Sequence, residues 1–407
     1  ISYIFSLNAD NKYQVLEGID RTFNQGQGNY DNNFATSKYN YTTSLSGLAG
    51  IKFKSDRFDI AFNTFLLRST TSMIQDQLGY KNSLNTEPNA LIRLNQFEES
   101  KYWNNQIVAN YKLTANGKHA LKGGFSFVKT SYGLPDRKVI TGQKLSENEI
   151  KITNGSDNLI RQYFDVSGDR FFSGMLEYAL KLKEKDNGKD TKLVVGYNGL
   201  SNEEVSSYRF VFGKPFIAKS YIIDDINNIN ENIVDDVNNG LVKFTEESTG
   251  TWRSKLYQNI NSAYANIFFN FAQKWDINGG IRVESSLREI KYRQNGDDFD
   301  ANYIKLKMDK VDFLPAINIK YAVNEKNNIR FAASKTITRP ISIEILPIEF
   351  VNPDGTVEKG NQFIKNSDTI NFDLKYEMFP NSNQLFVVGL FGKHITNPIE
   401  RLFIPNA

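Results

Sequence analysis

Stretches of about ten residues that alternate apolar and polar side chains predict an all-β fold. Connectors that alternate short and long, with aromatic side chains gathered beside the short ones, narrow it to a large antiparallel transmembrane β-barrel. In such a barrel the short connectors are periplasmic turns and the long ones extracellular loops. The composition agrees. The 407 residues carry a formal net charge of +3 and no cysteine. That excludes a disulfide scaffold, a zinc-thiolate or iron–sulfur site and thiol catalysis, and it leaves no basic footprint for nucleic acid. No apolar run approaches the ~18 residues of a membrane helix. A mean hydropathy of −0.46 does not count against a barrel, whose strands cross lipid with only every second residue apolar. The sequence opens at Ile1, with no Met and no signal-like segment, and stops at Ala407 just past a strand-like stretch. It reads as an interior piece of a longer protein.

Taken in order, polar turns rich in Asn, Asp, Gly and Lys fall at residues 8–11, 54–57, 115–118, 183–190, 273–274, 324–327 and 380–383. The long connectors lie at 26–37, 72–96, 133–169, 202–250, 295–303 and 341–367. Counting the segments between them gives about fourteen strands. The clearest strand sets Val311, Phe313, Pro315, Ile317, Ile319 and Tyr321 on one parity against Asp312, Leu314, Ala316, Asn318 and Lys320 on the other. Residues 275–284 and 370–378 repeat the separation. Within 220–239, Ile222, Ile226, Ile229 and Val234 fall near helical spacing, which predicts a short amphipathic helix in an extracellular loop. Its Asp224, Asp225, Asp235 and Asp236 lack the ordered ligand spacing of a calcium loop.

The apolar parity, taken as outward, offers Ile51, Phe62, Phe125, Leu176, Val195 and Ile267. The opposite parity offers Lys52, Asp59, Lys122, Glu177, Asn198 and Asn266. Tyr111, Tyr178, Trp275, Tyr321, Tyr376 and Phe379 sit close to the short turns, as an aromatic girdle at the headgroup level requires. Closure of so wide a sheet leaves a charged lumen, filled either by a polar plug or by water.

Enzyme chemistry finds no support. His119 and His394 stand alone, without the partners of a metal site. Adjacent acids such as Glu203-Glu204 point to opposite strand faces, and no Gly-x-Ser-x-Gly elbow occurs. The chain is read as a non-enzyme that takes no cofactor.

Residues 313–340, FLPAINIKYAVNEKNNIRFAASKTITRP, end on Ser334-Lys335-Thr336-Ile337-Thr338-Arg339-Pro340. The pair Gly360-Asn361 follows, then the strand-like stretches 371–377 (NFDLKYE) and 393–400 (KHITNPIE). This run resembles TonB-dependent outer-membrane receptors of the Bacteroidetes type. The resemblance implies a barrel of about 22 strands, of which about fourteen are present, together with an N-terminal plug and a TonB box lying outside this sequence. It implies a place in the bacterial outer membrane, TonB as a partner, and import of a scarce solute such as a siderophore, haem, cobalamin, glycan or peptide. Some members pair with a surface lipoprotein or join larger outer-membrane assemblies.

With strands rising from each short turn, Arg282, Glu284 and Arg288 climb through the lumen. Arg339 ends another rising strand, with Asn371 and Asp373 on the descending one. These six are the candidate ligand- or plug-facing residues. Their arginines could clamp a carboxylate or phosphate, or they could form salt bridges within the barrel wall. A structural subunit of an outer-membrane complex, a passive porin and a soluble adhesin are the alternative readings.

Overall fold

The computed structural model describes residues 1–24, 28–82, 85–152, 158–183, 190–215, 221–226, 228–246, 253–293, 297–298, 300–347, 349–351 and 357–402. Its first half contains β1 (Ser2–Asn24), β2 (Asn29–Lys54), β3 (Phe58–Lys81), β4 (Asn85–Lys112), β5 (His119–Lys144), β6 (Ile150–Ile152), β7 (Leu159–Lys183) and β8 (Thr191–Pro215). There follow β9 (Tyr221–Ile223), α1 (Ile229–Asn238), β10 (Val242–Glu246), β11 (Arg253–Phe271), β12 (Trp275–Tyr292), β13 (Ile304–Asn324) and β14 (Asn327–Thr338). The last elements are α2 (Ser342–Ile345), β15 (Glu349–Val351), β16 (Val357–Lys359), β17 (Ser367–Asn381) and β18 (Gln384–Thr396). Neighbours along the main sheet follow the order β1-β2-β3-β4-β5-β7-β8-β11-β12-β13-β14-β17-β18, a meander of thirteen strands. β6, β9 and β10 attach beside it, and β15 and β16 form their own hairpin.

Partners across an antiparallel ladder share a face, so the registers identify the two sides of the wall. One row runs Phe62–Ile107–Phe125, the next Leu176–Tyr197–Ala263–Val283–Phe313, and a third Phe331–Leu374–Leu390. Phe125, Leu176 and Phe313 are 50%, 56% and 59% exposed. A continuous band of bare large apolar side chains is untenable in water and right for lipid. The band has an upper edge. Above Leu66 and Trp103 come Arg68, Lys101 and Glu99, paired at 2.6 Å, and above Phe172 comes Arg170 with Glu203. Below, Phe58 packs edge-on to Tyr111, and Trp275 lies 4.4 Å from Tyr321 beside the short turns. The band is therefore about nine residues tall, the height of a bilayer-crossing strand.

Most strands continue far above it. β1 to β5 have 23 to 28 residues each, so the described parts of 26–37 and 72–96 are largely strand rather than loop. Their sequence hides this because neither face meets lipid there: Ala90, Leu91, Ile92 and Leu94 are buried on both faces, and elsewhere polar cross-strand contacts such as Gln77 Nε2 to Asp20 Oδ2 at 3.0 Å replace apolar alternation. The same extension carries β5, β7 and β8 into 133–169 and 202–250. At residues 8–11 no turn forms. Asn8 and Asp10 face Ser46 and Ser44 in one unbroken β1–β2 ladder, so their polarity marks the inner face. That merger gives thirteen long strands where the sequence pattern gave about fourteen. The expected turns at 54–57, 115–118, 273–274, 324–327 and 380–383 fall between consecutive strands, while 184–189 lie outside the described residues.

Apolar clusters sit above the band on both faces. On the inner face Phe34, Ile92, Leu94, Val139 and Ile160 pack together. On the outer face, Leu91, Ile140 and Leu159 receive a flap built from β6, β9, α1 and β10, whose Ile150, Ile223, Ile229 and Ile233 are buried. Residues 220 and 227 lie outside the described residues, and the helix occupies Ile229–Asn238.

Candidate functional site

The inner parity of β8, β11 and β12 brings Asn198, Ser262 and Glu284 to one level, because Ser262 pairs with both of the others. Glu284 is 4% exposed. Arg282, one inward position below it, donates through Nε at 3.0 Å and Nη2 at 2.8 Å to its Oε2. Arg282 Nη1 reaches Asn198 Oδ1 at 2.7 Å, and Ser262 Oγ donates to the same oxygen. Arg339, just beyond the end of β14, donates to Glu284 Oε1. The Glu284–Arg282 pair, extended through Asn198 to Ser262, thus ties three strands and the start of the next loop.

Residues 339–347 and 360–366 of that loop fold onto the inner face. Ile345 and Leu346 pack against Tyr208, Leu256, Ile290 and Tyr292, all inward-facing residues of β8, β11 and β12. Ser342 Oγ donates to Glu204 Oε2. Glu344 Oε2 accepts from the Ile341 N–H at 2.8 Å, closing the first turn of α2. Gly360 passes so close that an added Cβ would lie 2.2 Å from the Leu346 carbonyl oxygen, and Asn361 N–H donates to Glu344 O at 2.7 Å. The Gly-Asn pair seen in the sequence is therefore a close-packing point of this loop.

Arg288 lies one inward step above Ser286 and is 7% exposed. Its Nη2 donates to Ile364 O at 3.0 Å and contacts Met308 Sδ at 3.1 Å. Burial first, then the nearby Arg339, pulls its guanidinium below the usual range. Four of the six candidate residues, Arg282, Glu284, Arg288 and Arg339, are thus gathered at the upper edge of the band. Asn371 and Asp373 lie lower. Asn371 faces Ser334 and bonds Thr336 Oγ1 at 3.1 Å. Asp373 lines a cavity of about 810 Å³ near the short turns, with Lys192, Asp276, Lys320, Arg330 and Lys375. Seven neighbouring strands line that one cavity, so the wall is concave on its charged side.

The inner face also carries residues that the sequence reading passed over. Arg137 Nε donates to Gln96 Oε1 at 3.1 Å, Tyr132 OH to Glu98 Oε2 at 2.9 Å, and Gln162 Nε2 to Tyr208 OH at 3.2 Å. Burial lowers Arg137 to about 10, still charged at neutral pH. Ser262 was missed as well, Asn198 was placed only on the inward parity, and Glu204 was set aside as one of two adjacent acids. Aligning each hairpin on its short turn would have placed them opposite Glu284 and its neighbours.

The profile of the outer membrane protein beta-barrel family matches residues 141–407. The chain belongs to that family. As an outer membrane barrel protein its place is the bacterial outer membrane. A search of curated protein sequences finds no match. Among solved structures, the Pseudomonas aeruginosa pyoverdine receptor FpvA bound to heterologous pyoverdines aligns with TM-score 0.54 and 11% identity, over 97% of this chain and 48% of that one. The ferripyoverdine receptor of the same organism's outer membrane gives 0.53 and 11% over the same shares. The ferric yersiniabactin uptake receptor FyuA of Yersinia pestis gives 0.48 and 11%, over 95% and 50%. At such identity the likeness is one of fold, and this chain spans about half the length of the receptors it matches.

Proposed function

We propose that this outer membrane barrel protein is the wall of a TonB-dependent receptor of the Bacteroidetes type, importing a scarce solute from the cell exterior. In this reading residues 1–407 form one barrel domain, and a plug and TonB box belong to parts of the protein outside it. TonB supplies the energy, and a surface lipoprotein is a candidate second partner. Arg282, Glu284, Arg288, Arg339, Asn371 and Asp373 line the solute's path or the plug's seat. The protein acts by binding and passage rather than as an enzyme, and it uses no cofactor.

The observation that carries the reading is the inward fold of loop residues 339–347 and 360–366. Its Arg339 and Ser342 are anchored on the inner-face carboxylates Glu284 and Glu204. A loop that narrows a wide lumen above a charged wall favours selective capture over free diffusion. The kinship of fold with siderophore receptors supports the same view.

The test is uptake in the native host. Deletion of the gene should abolish growth on at least one of a panel of ferric chelates, cobalamin, oligosaccharides or peptides as limiting nutrient, and loss of TonB should reproduce that defect. Growth unaffected by either deletion, with the protein recovered in stoichiometric amounts with other envelope proteins, would replace this reading with that of a structural subunit.

A further inference from the structure

We propose that the seam between β13 and β14 holds a binding site for an oxyanion, the carboxylate or phosphate group of a small solute reaching it from the lumen. The site does not depend on import, because its test reads binding alone.

The seam follows from one residue. Pro315 has no N–H to give to a ladder, and the β13–β14 pairing ends at Ala316–Ser334 beside it. Above that point β13 runs on to Ile304 with β12, while β14 stays with β17 up to Thr338. The strands part, and beside β13, just beyond the end of β14, lies a cavity of about 630 Å³ lined among others by Gln258, Ser286, Arg288, Leu306, Arg339 and Lys365.

Arg288 marks what this cavity takes. It is more than nine-tenths buried, and its Nε and Nη1 have no hydrogen-bond partner among the described residues. Arg339 Nε is likewise buried and unpartnered. Of the acids at the cavity, Asp309 stands on the outward parity of β13 opposite Leu287, and the inward ones are already engaged. Glu284 is shared by Arg282 and Arg339, and Asp368 is held by Lys310 at 3.1 Å and Lys335 at 3.5 Å. Idle buried donors on two guanidinium groups are costly, most of all on Arg288, which has no carboxylate partner among the described residues. An oxyanion supplies acceptors to both at once, and Lys365 on the rim adds attraction. Leu306 and Phe363 form an apolar wall beside the arginines, so an acid with an apolar body fits better than a bare ion.

The experiment uses the whole chain purified in detergent, titrated calorimetrically with sodium benzoate and with sodium phosphate at ionic strength held constant with chloride. Saturable binding of at least one is expected, weakened at least about tenfold in Arg288→Met. Tighter benzoate assigns a carboxylate with an apolar body, and tighter phosphate assigns a phosphate group. No saturable binding of either, or equal binding by Arg288→Met, overturns the site. Should that variant not fold, Lys365→Ala at the rim carries the test: binding about threefold weaker supports the site, and unchanged binding overturns it.

Discussion

Tyr264 lies across Gly196 to reach Glu177. Its hydroxyl donates to Glu177 Oε2 at 2.8 Å, and a Cβ built on Gly196 would stand 2.4 Å from the ring carbon bearing that hydroxyl. Gly196 is paired with Tyr264 on one side and Glu177 on the other, so the ring spans a whole strand. The absence of a side chain at 196 is what lets three strands share one polar contact on the inner face.

Gly196→Ala should therefore act through the tyrosine. The rigid ring cannot bend away as a flexible chain would, so it must leave its rotamer. A loss of about 1–3 kcal/mol is expected, with Tyr264→Phe costing about 1 kcal/mol. In the double variant the two losses should not add, because both remove the same bridge. Unfolding by guanidinium from lipid vesicles measures all three.

The Glu284 cluster behaves differently, since it holds charge rather than a neutral donor. Glu284→Gln leaves Arg282 and Arg339 facing each other in a place 4% exposed, and breaking such a buried pair costs about 3–5 kcal/mol. The loop should loosen with it, because Arg339 is its first anchor. Protease nicking within 339–347 should rise in Glu284→Gln and stay at the parent level in Arg68→Met, whose partner Glu99 lies on the outer face.

Much of this was legible in the sequence, and the reasons where it was not are local. The strip Phe313, Ile317, Ile319 and Tyr321 announced its face because lipid demands apolar residues at every second position. Asn8 and Asp10 misled, since an inward polar parity looks like a turn when its apolar partners are small or sparse, as at Ala9 and Asn11. The lengths of β3 and β4 were hidden because above the membrane neither face meets lipid: β3 is polar on both faces at Asp76 and Gln77, β4 is apolar on both at Leu91 and Ile92, and no alternation survives. Arg282, Glu284 and Arg339 were picked out individually. That they converge while Asn371 and Asp373 stand apart depends on strand register, which places Asn371 level with Gly280 and Asp373 level with Asn278, both below Arg282.

Above the membrane, Arg93 tacks the outer flap to the wall. It binds both Asp76 oxygens at 2.7 Å and the Ile226 carbonyl at 2.6 Å. Arg93→Met should free the flap without opening the barrel. Hydrogen exchange should quicken at 221–246 and stay unchanged in 45–54 and 119–127.

The same flap should respond to pH through Asp236. Burial holds its carboxyl above the ordinary carboxylate range, and Tyr221 donates to it. The folded flap therefore keeps a proton that the opened flap gives up at lower pH, so its stability is greatest in acid. It declines as pH rises from the ordinary carboxylate value toward the raised one. Protection factors at 229–238 should fall across that window, and Asp236→Asn should flatten the dependence. A rise in protection with pH would contradict this sign.

Phe125 and Ser126 are neighbours on opposite faces at mid-band. Phe125 is half exposed on the apolar side between Ile107 and Gly174, while Ser126 bonds Ser173 at 2.8 Å on the inner side. An arginine at 125 would have to sit in hydrocarbon, at a cost of about 2–4 kcal/mol near the midplane. At 126 it would extend into the aqueous lumen and cost under about 1 kcal/mol, chiefly the lost hydroxyl pair. Unfolding from vesicles compares Phe125→Arg with Ser126→Arg directly. Equal losses would mean that water bathes both faces, because only a solvent difference between them can make one residue's step along the chain worth several kilocalories.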